Sequence, residues 1–137
     1  MTTEEIKAAI PHRSPMLLVD EVVEQSDAHI VTRKTFHEDE FFTHGHYPDN
    51  PIVPGVILCE VGMQSGAVFL SKLADGEGVP VATRMNDVRF KQIVKPGDTV
   101  EVNVELVEKL ANAFFMKAKM TRDGKLVMRF EFACALA

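Results

Sequence analysis

The sequence predicts an α+β fold in which an antiparallel sheet of six strands is wrapped around one long central helix. The run from Val56 to Leu73 is almost wholly apolar, with two strand-like segments before it and four after it. The turn signals between the later segments are of the kind that join antiparallel neighbours. A helix that is apolar on every side must be buried on every side. We therefore expect the sheet to wrap this helix, or a second copy of the chain to cover it.

The elements follow from local patterns along the chain. Thr2 and Glu5 have the spacing of a capping box, which starts a short helix ending near Ile10, before Pro11. Residues 37–55 form a long connection, and a connection of that length in a compact domain usually has a function. A turn is expected at residues 74–78. Apolar and β-branched runs predict the long helix at 56–73 and strands at 16–23, 29–36, 79–90, 99–107, 113–120 and 126–136.

Length, charge and cysteine content limit the classes of function. The 137 residues are expected to form one domain, residues 1–137, and a net charge of −5 argues against general binding to nucleic acid. No signal peptide is recognised, and polar residues interrupt the apolar helix, so we expect a cytoplasmic protein without a membrane span. Cys59 and Cys134 lie in apolar runs and are expected to be buried free thiols. A catalytic Cys59 activated by His46 is the alternative.

Glu60 is the anomaly of the apolar helix. An ionised carboxylate in apolar surroundings is costly, so it either finds a partner or keeps its proton near neutral pH. One interpretation is a structural ion pair with an arginine such as Arg84 or Arg89. The other interpretation is a catalytic acid.

The proline-rich loop before the helix supplies partners for a catalytic acid. His46 is the residue type that suits proton transfer near neutrality. The helix begins at Gly55 and Val56, where the first-turn N–H groups are free and a glycine lets a ligand approach the backbone. Gln64 follows Glu60 by one turn and can hold its carboxyl group. Base, acid and oxyanion donors together predict removal of a proton α to a carbonyl, coupled to loss of a β-hydroxyl.

Three stretches carry a family pattern. They read G-H-Y-P-D-N-P-I-V-P-G-V-I-L-C-E-V-G-M-Q at 45–64, I-P-H-R-S-P-M-L-L-V-D at 10–20 and R-F-K-Q-I-V-K-P-G-D at 89–98. These stretches resemble the motifs of the (3R)-hydroxyacyl-acyl-carrier-protein dehydratases, which are hot-dog-fold enzymes of fatty-acid synthesis. The motifs lie in the family's order and span most of the chain.

The resemblance implies a site at a homodimer seam, with the histidine from one subunit and the glutamate from the other. It implies that His46 acts on the α-proton and Glu60 on the departing hydroxyl, that Gly55 and Val56 lie at the bound thioester, and that Gln64 supports the glutamate. The implied substrate is linked to acyl carrier protein, and trimers of dimers are an implied further assembly. A glutamate at position 60, where related dehydratase-isomerases carry aspartate, favours dehydration without isomerisation. We expect no metal, no cofactor, and no nucleic-acid or membrane partner.

The chain departs from the family pattern at two positions near the expected substrate tunnel. Val81 stands where the family tends to have tyrosine, and Arg84 where it tends to have glycine. The basic stretch from Arg84 to Lys95 is open to two interpretations, a docking patch for an acidic carrier protein or a solvated strand face.

Three other functions remain open. His44 and His46, with His37 or Asp49, are spaced like ligands of a metal site. A hot-dog thioesterase would use Glu60 as base or nucleophile, and a non-catalytic paralogue would only bind acyl chains. The remaining histidines are expected to be structural or solvated, and we assign no chemistry to these residues: His12, His29, His37 and His44.

Overall fold

The structure is a computed structural model that describes residues 1–73 and 78–137. Its helices are α1 (Thr3–Ala9) and α2 (Gly55–Leu73), and its strands are β1 (Glu21–Gln25), β2 (His29–Thr35), β3 (Pro80–Phe90), β4 (Thr99–Leu110), β5 (Ala113–Arg122) and β6 (Lys125–Leu136). Within the described residues the strands form one antiparallel sheet in the order β1-β2-β4-β5-β6-β3. The predicted α+β architecture is confirmed. The turn predicted at 74–78 lies outside the described residues, apart from Gly78.

Helix α2 forms the centre of the core. It contacts β2, β3, β4, β5 and β6, and its middle turns are almost fully buried. The helix is long and apolar enough to cross a membrane, but most of it is buried within the fold. It is therefore the core helix of the domain, as the all-round apolar pattern predicts.

Two glycines in α2 set how closely the helix approaches the sheet. A Cβ on Gly62 would lie 2.7 Å from Cε1 of Phe130, and a Cβ on Gly66 would lie 2.8 Å from Cζ of Phe132. The two rings are buried and stack on each other with centroids 5.2 Å apart. Close packing at both positions therefore requires the absence of a side chain on the helix.

The strand predicted at 16–23 is only partly correct, because β1 begins at Glu21. The N–H groups of Met16 and Leu17 donate to the carbonyl of Arg13, which forms a turn rather than a sheet ladder. The Gln64 side chain of α2 accepts from the Leu18 N–H at 2.8 Å and donates to the Met16 carbonyl at 2.7 Å. The apolar run in this segment packs against the helix, and a strand pattern in the sequence cannot distinguish these two settings.

The long connection between β2 and α2 has a defined fold that includes a 3₁₀ turn at Phe41–Thr43. Its beginning is held by a buried ion pair, in which the Lys34 ammonium donates to Glu40 Oε1 at 2.9 Å. The other oxygen of Glu40 accepts from the His37 N–H at 3.0 Å. Near its end the Val53 N–H donates to the Val94 carbonyl at 2.7 Å. The loop that carries His46 is thus anchored at both ends.

Replacing Glu40 by Gln is expected to lower the free energy of unfolding by about 2 kcal/mol, because it leaves a buried ammonium without its nearest counter-charge. The Lys34 side chain is 4% exposed, and the next carboxylate, that of Asp20, lies 3.9 Å from its nitrogen. Urea unfolding at a fixed protein concentration measures the effect. Asp39→Asn is the matched control, since the Asp39 side chain is 99% exposed and its removal should change little. Equal stability of the two variants would contradict a stabilising role for the buried pair.

Candidate active site

His46 is held by the loop in one orientation. Its Nδ1 lies 3.0 Å from the carbonyl oxygen of Ile52, and its ring packs edge-on against Tyr47 with centroids 4.8 Å apart. A carbonyl oxygen only accepts, so Nδ1 must carry the hydrogen in this contact. The Nε2 atom of the neutral ring is then left with a free lone pair. This orientation is the one that a general base requires.

Glu60 lies in a pocket of about 80 Å³ between α2 and the β3–β6 pair. We call it the Glu60 pocket, and it is lined by His12, Glu60, Met63, Gln64, Ala67, Pro80, Ala82 and Cys134. The Glu60 side chain is 27% exposed, so the carboxyl group reaches the pocket although its helix is buried. Sites for small-molecule ligands typically measure ~300–1,000 Å³, so the pocket of one chain is too small for an acyl thioester.

Gln64 connects Glu60 to the segment before β1. Its Nε2 donates to Glu60 Oε2 at 2.9 Å and to the Met16 carbonyl, while its Oε1 accepts from the Leu18 N–H. The amide is 1% exposed, and its other two contacts are to backbone groups, which fix its own position. Gln64 therefore orients the Glu60 carboxyl group, in the place where the sequence predicts such a support.

Neither arginine suggested as a structural partner of Glu60 pairs with it in the described part of this chain. Arg84 lies over the ring of Phe115 at 5.4 Å, and Arg89 donates to Asp87 at 2.8 Å. The ionisable side chain nearest to Glu60 is instead His12, whose Nε2 lies 3.7 Å from Oε2.

The structure adds His12 to the residues around Glu60. It was expected to be structural or solvated, yet it lines the Glu60 pocket. The available signal was its position within the I-P-H-R stretch at 10–13, which matches the family pattern. Nothing local in that stretch indicates a contact with a helix almost fifty residues later in the chain.

Gly55 and Val56 form the first turn of α2, where backbone N–H groups have no acceptor inside the helix. Val56 is 74% exposed, which leaves this end of the helix open to a ligand or a second chain. A Cβ on Gly55 would lie 2.8 Å from Cζ of Phe90. The space beside Gly55 is thus taken by an aromatic ring of β3, and contact of the turn with a substrate stays a prediction.

His46 and Glu60 do not meet within one chain. Glu60 pairs with His12 and Gln64, and none of the ion pairs among residues 1–73 and 78–137 joins it to His46. The prediction that the two groups come together across two copies of the chain therefore stays a prediction.

The alternative of a metal site at His44 and His46 finds no support in the described residues. His44 is exposed and lies 3.4 Å from Asp39, while His46 Nδ1 contacts a backbone carbonyl. In the part of the chain that the structure describes, no three His, Cys, Asp or Glu side chains converge as a metal ion would require.

Both cysteines are buried free thiols, as predicted. Burial raises the pKa of the Cys59 thiol and raises the pKa of the Cys134 thiol to about 11. The reactive form of cysteine is the thiolate, which burial disfavours. A nucleophilic Cys59 is therefore a poor fit to this site.

Comparisons with known proteins show which sequences and structures the chain resembles. The family model described as FabA-like domain matches residues 10–131. A 3-hydroxyacyl-[acyl-carrier-protein] dehydratase FabZ of Clostridium perfringens strain SM101 is 39% identical over 137 residues, covering 99% of both chains. A FabZ of Streptococcus pyogenes serotype M3 is also 39% identical over 137 residues, covering 98% of this chain and 99% of its own.

A solved structure shares the fold at low sequence identity. The dehydratase heterocomplex ApeI:P of Xenorhabdus doucetiae contains a chain that matches with a TM-score of 0.80 at 16% identity, covering 96% of this chain and 90% of its own. The hot-dog fold implied by the sequence motifs is thereby confirmed. The matched span and the identity to the FabZ relatives establish that the chain belongs to the FabA-like family of 3-hydroxyacyl-[acyl-carrier-protein] dehydratases.

Proposed function

We propose that the protein is a hydro-lyase that converts a 3-hydroxyacyl thioester, linked to acyl carrier protein, into the trans-2-enoyl thioester during cytoplasmic fatty-acid synthesis. Two FabZ relatives that match nearly the full chain carry the name of this activity. The observation on the chain itself that carries the proposal is the orientation of His46. Its Nδ1–H is engaged by the Ile52 carbonyl, and Nε2 is left as a proton acceptor.

The reaction divides between the two groups. His46 Nε2 takes the proton at Cα, and the electron pair of that C–H bond forms the Cα–Cβ double bond. The Cβ–O bond breaks as Glu60 gives its proton to the departing oxygen, so the products are water and the enoyl thioester. Transfer of a proton from the imidazolium to the carboxylate, through solvent, restores the starting state. The thioester oxygen gains negative charge meanwhile, and the N–H groups of Gly55 and Val56 are donors suited to stabilise it.

The exposed surface of β3 supports a homodimer that would complete this site. Strand β3 lies at the edge of the sheet, paired to β6 on one side and to no other described strand. Most of its residues are exposed, including Val81 and Met85 at 48% and 46%. An edge strand with exposed apolar side chains is a natural pairing surface. A second copy placed here would enlarge the Glu60 pocket, which β3 lines through Pro80 and Ala82.

The basic stretch from Arg84 to Lys95, which begins within this strand, offers fewer free cations for a carrier protein than the sequence indicates. Arg89 is engaged by Asp87 and Arg84 by Phe115, which leaves Lys91 and Lys95 as exposed cations. None of the ion pairs in the described part of the chain includes either lysine. We propose that these two lysines meet the acidic carrier protein in a salt-sensitive encounter.

Hydration of crotonyl thioester, the reverse reaction, tests the function directly. The expected result is loss of the ultraviolet absorbance of the enoyl thioester without release of free thiol. Release of thiol from an acyl thioester would identify a thioesterase instead. Binding of the acyl thioester without either reaction would identify a non-catalytic binder.

A further inference from the structure

His12 is held rigidly beside Glu60. It follows α1, and the Arg13 guanidinium donates to the carbonyls of Lys7, Ile10 and His12 at 3.0, 3.0 and 2.7 Å. These bonds fix the backbone on either side of the imidazole. The His12 side chain is 29% exposed, and its Nε2 faces the Glu60 carboxyl group.

The surroundings of the imidazole indicate where its hydrogen lies. His12 Nδ1 is buried and has no hydrogen-bond partner among the described residues. Either tautomer leaves Nδ1 unpaired, but hydrogen on Nε2 places a donor opposite the acceptor Oε2 of Glu60, whereas hydrogen on Nδ1 would leave two lone pairs facing each other. The neutral ring with hydrogen on Nε2 is therefore favoured, and that hydrogen points towards Glu60 Oε2.

The two N–H donors near Glu60 both point to the same carboxyl oxygen, Oε2. Gln64 Nε2 lies 2.9 Å from Oε2 and His12 Nε2 lies 3.7 Å from it. The Oε1 atom accepts no hydrogen bond from the described residues. A separation of 3.7 Å exceeds a hydrogen bond, but such contacts in an unliganded site often tighten when substrate binds.

We propose that His12 is a positioning residue for Glu60. As a neutral imidazole it donates Nε2–H to Oε2 of Glu60, as Gln64 also does. Because both donors hold Oε2, the proton is gained and lost at Oε1. This inference rests on the proposed dehydratase function. When Glu60 gives up its proton, two N–H donors meet the charge on Oε2. When the proton returns, the same donors keep Oε2 as an acceptor, so the hydrogen goes back to Oε1 in an unchanged orientation.

Steady-state hydration of crotonyl thioester by His12→Ala, His12→Gln and His29→Ala tests the role. Partners that orient metal ligands typically contribute about 10–100-fold, and on the same reasoning we expect His12→Ala to lower kcat about tenfold while KM changes less than about twofold. The Gln side chain retains an N–H donor and should restore kcat to within about threefold. His29 begins β2 and contacts Ser26 and Glu24, far from the residues around Glu60 in the sheet order, so His29→Ala should behave as the unchanged protein. A kcat loss in His12→Ala that Gln does not restore would overturn the proposal.

A double-variant cycle separates positioning from a structural role. Removing His12 in a Glu60→Gln background should cause no further loss of kcat, because the group that His12 orients is already absent. Multiplying losses would indicate a general structural effect and contradict the proposal.

The ¹⁵N resonances of labelled histidines provide a readout that does not need activity. His12 should report hydrogen on Nε2 near neutral pH, and its resonances should shift in Glu60→Gln but not in the exposed control Glu38→Gln. An imidazolium, or hydrogen on Nδ1, would refute the inference. A protein without hydratase activity that still gives the expected resonances would instead refute the proposed function alone.

Discussion

Replacing His46 by Ala, or Glu60 by Gln, is expected to lower the rate of crotonyl thioester hydration at least about a hundredfold, because each change removes one of the two groups that we propose move protons. Both side chains are partly exposed, so neither change should greatly alter the stability of the fold. Thermal unfolding of the variants provides that control. Retention of full activity by either variant would contradict its assigned role.

Mixing the two inactive variants tests whether the site is shared between subunits. After denaturation and refolding of an equal mixture, half of the dimers contain one chain of each kind. In each such dimer one of the two active sites carries both substitutions, and the other active site carries neither. Activity should therefore return to about a quarter of that of the unchanged protein. A mixture as inactive as its components would mean that the acid and the base come from one chain.

Replacing Gly62 by Val is expected to destabilise the protein by roughly 3 kcal/mol, because the new side chain collides with a buried ring. The ring of Phe130 lies 2.7 Å from the position of a Cβ and is held by its stacking on Phe132. Gain of helix propensity over glycine offsets at most about 1 kcal/mol of this cost. Urea unfolding at a fixed protein concentration measures the change.

The double variant Gly62→Val with Phe130→Leu is the control for that collision. A smaller side chain at 130 makes room for the valine, so the double variant should be more stable than Gly62→Val alone. If the two substitutions instead lower stability additively, contact with Phe130 is not the cause.

Most elements could be predicted because their patterns are local. The capping box at Thr2 and Glu5 is formed in both directions, and the predicted strands after the helix agree with β3 to β6 to within three residues at every end. The failure at 16–23 has a physical reason. Side chains at Met16 and Leu18 read as strand residues, but their backbone groups bind the amide of Gln64, which lies more than forty residues later.

The candidate site was predictable in its residue types and less so in its contacts. The sequence predicts His46 from its place in the proline-rich loop and Glu60 from its place in an apolar helix. It predicts Gln64 from its spacing of one turn after Glu60. Neither arginine considered for Glu60 pairs with it among the described residues, because Arg89 donates to Asp87 two residues earlier on the same strand and Arg84 lies over a ring of β5. The sequence also could not predict that Phe90 packs beside Gly55, since a glycine indicates a close approach but not which residue approaches.

The sequence by itself determined the fold class, the family and the pair of candidate proton-transfer groups, since each depends on spacing within a short stretch. Only the tertiary structure decided which atoms surround those groups. His12 of the segment after α1 reaches Glu60, and Phe130 of β6 reaches Gly62, because segments far apart in the chain pack onto one helix. Such contacts depend on packing in three dimensions, and no local pattern of side chains specifies them.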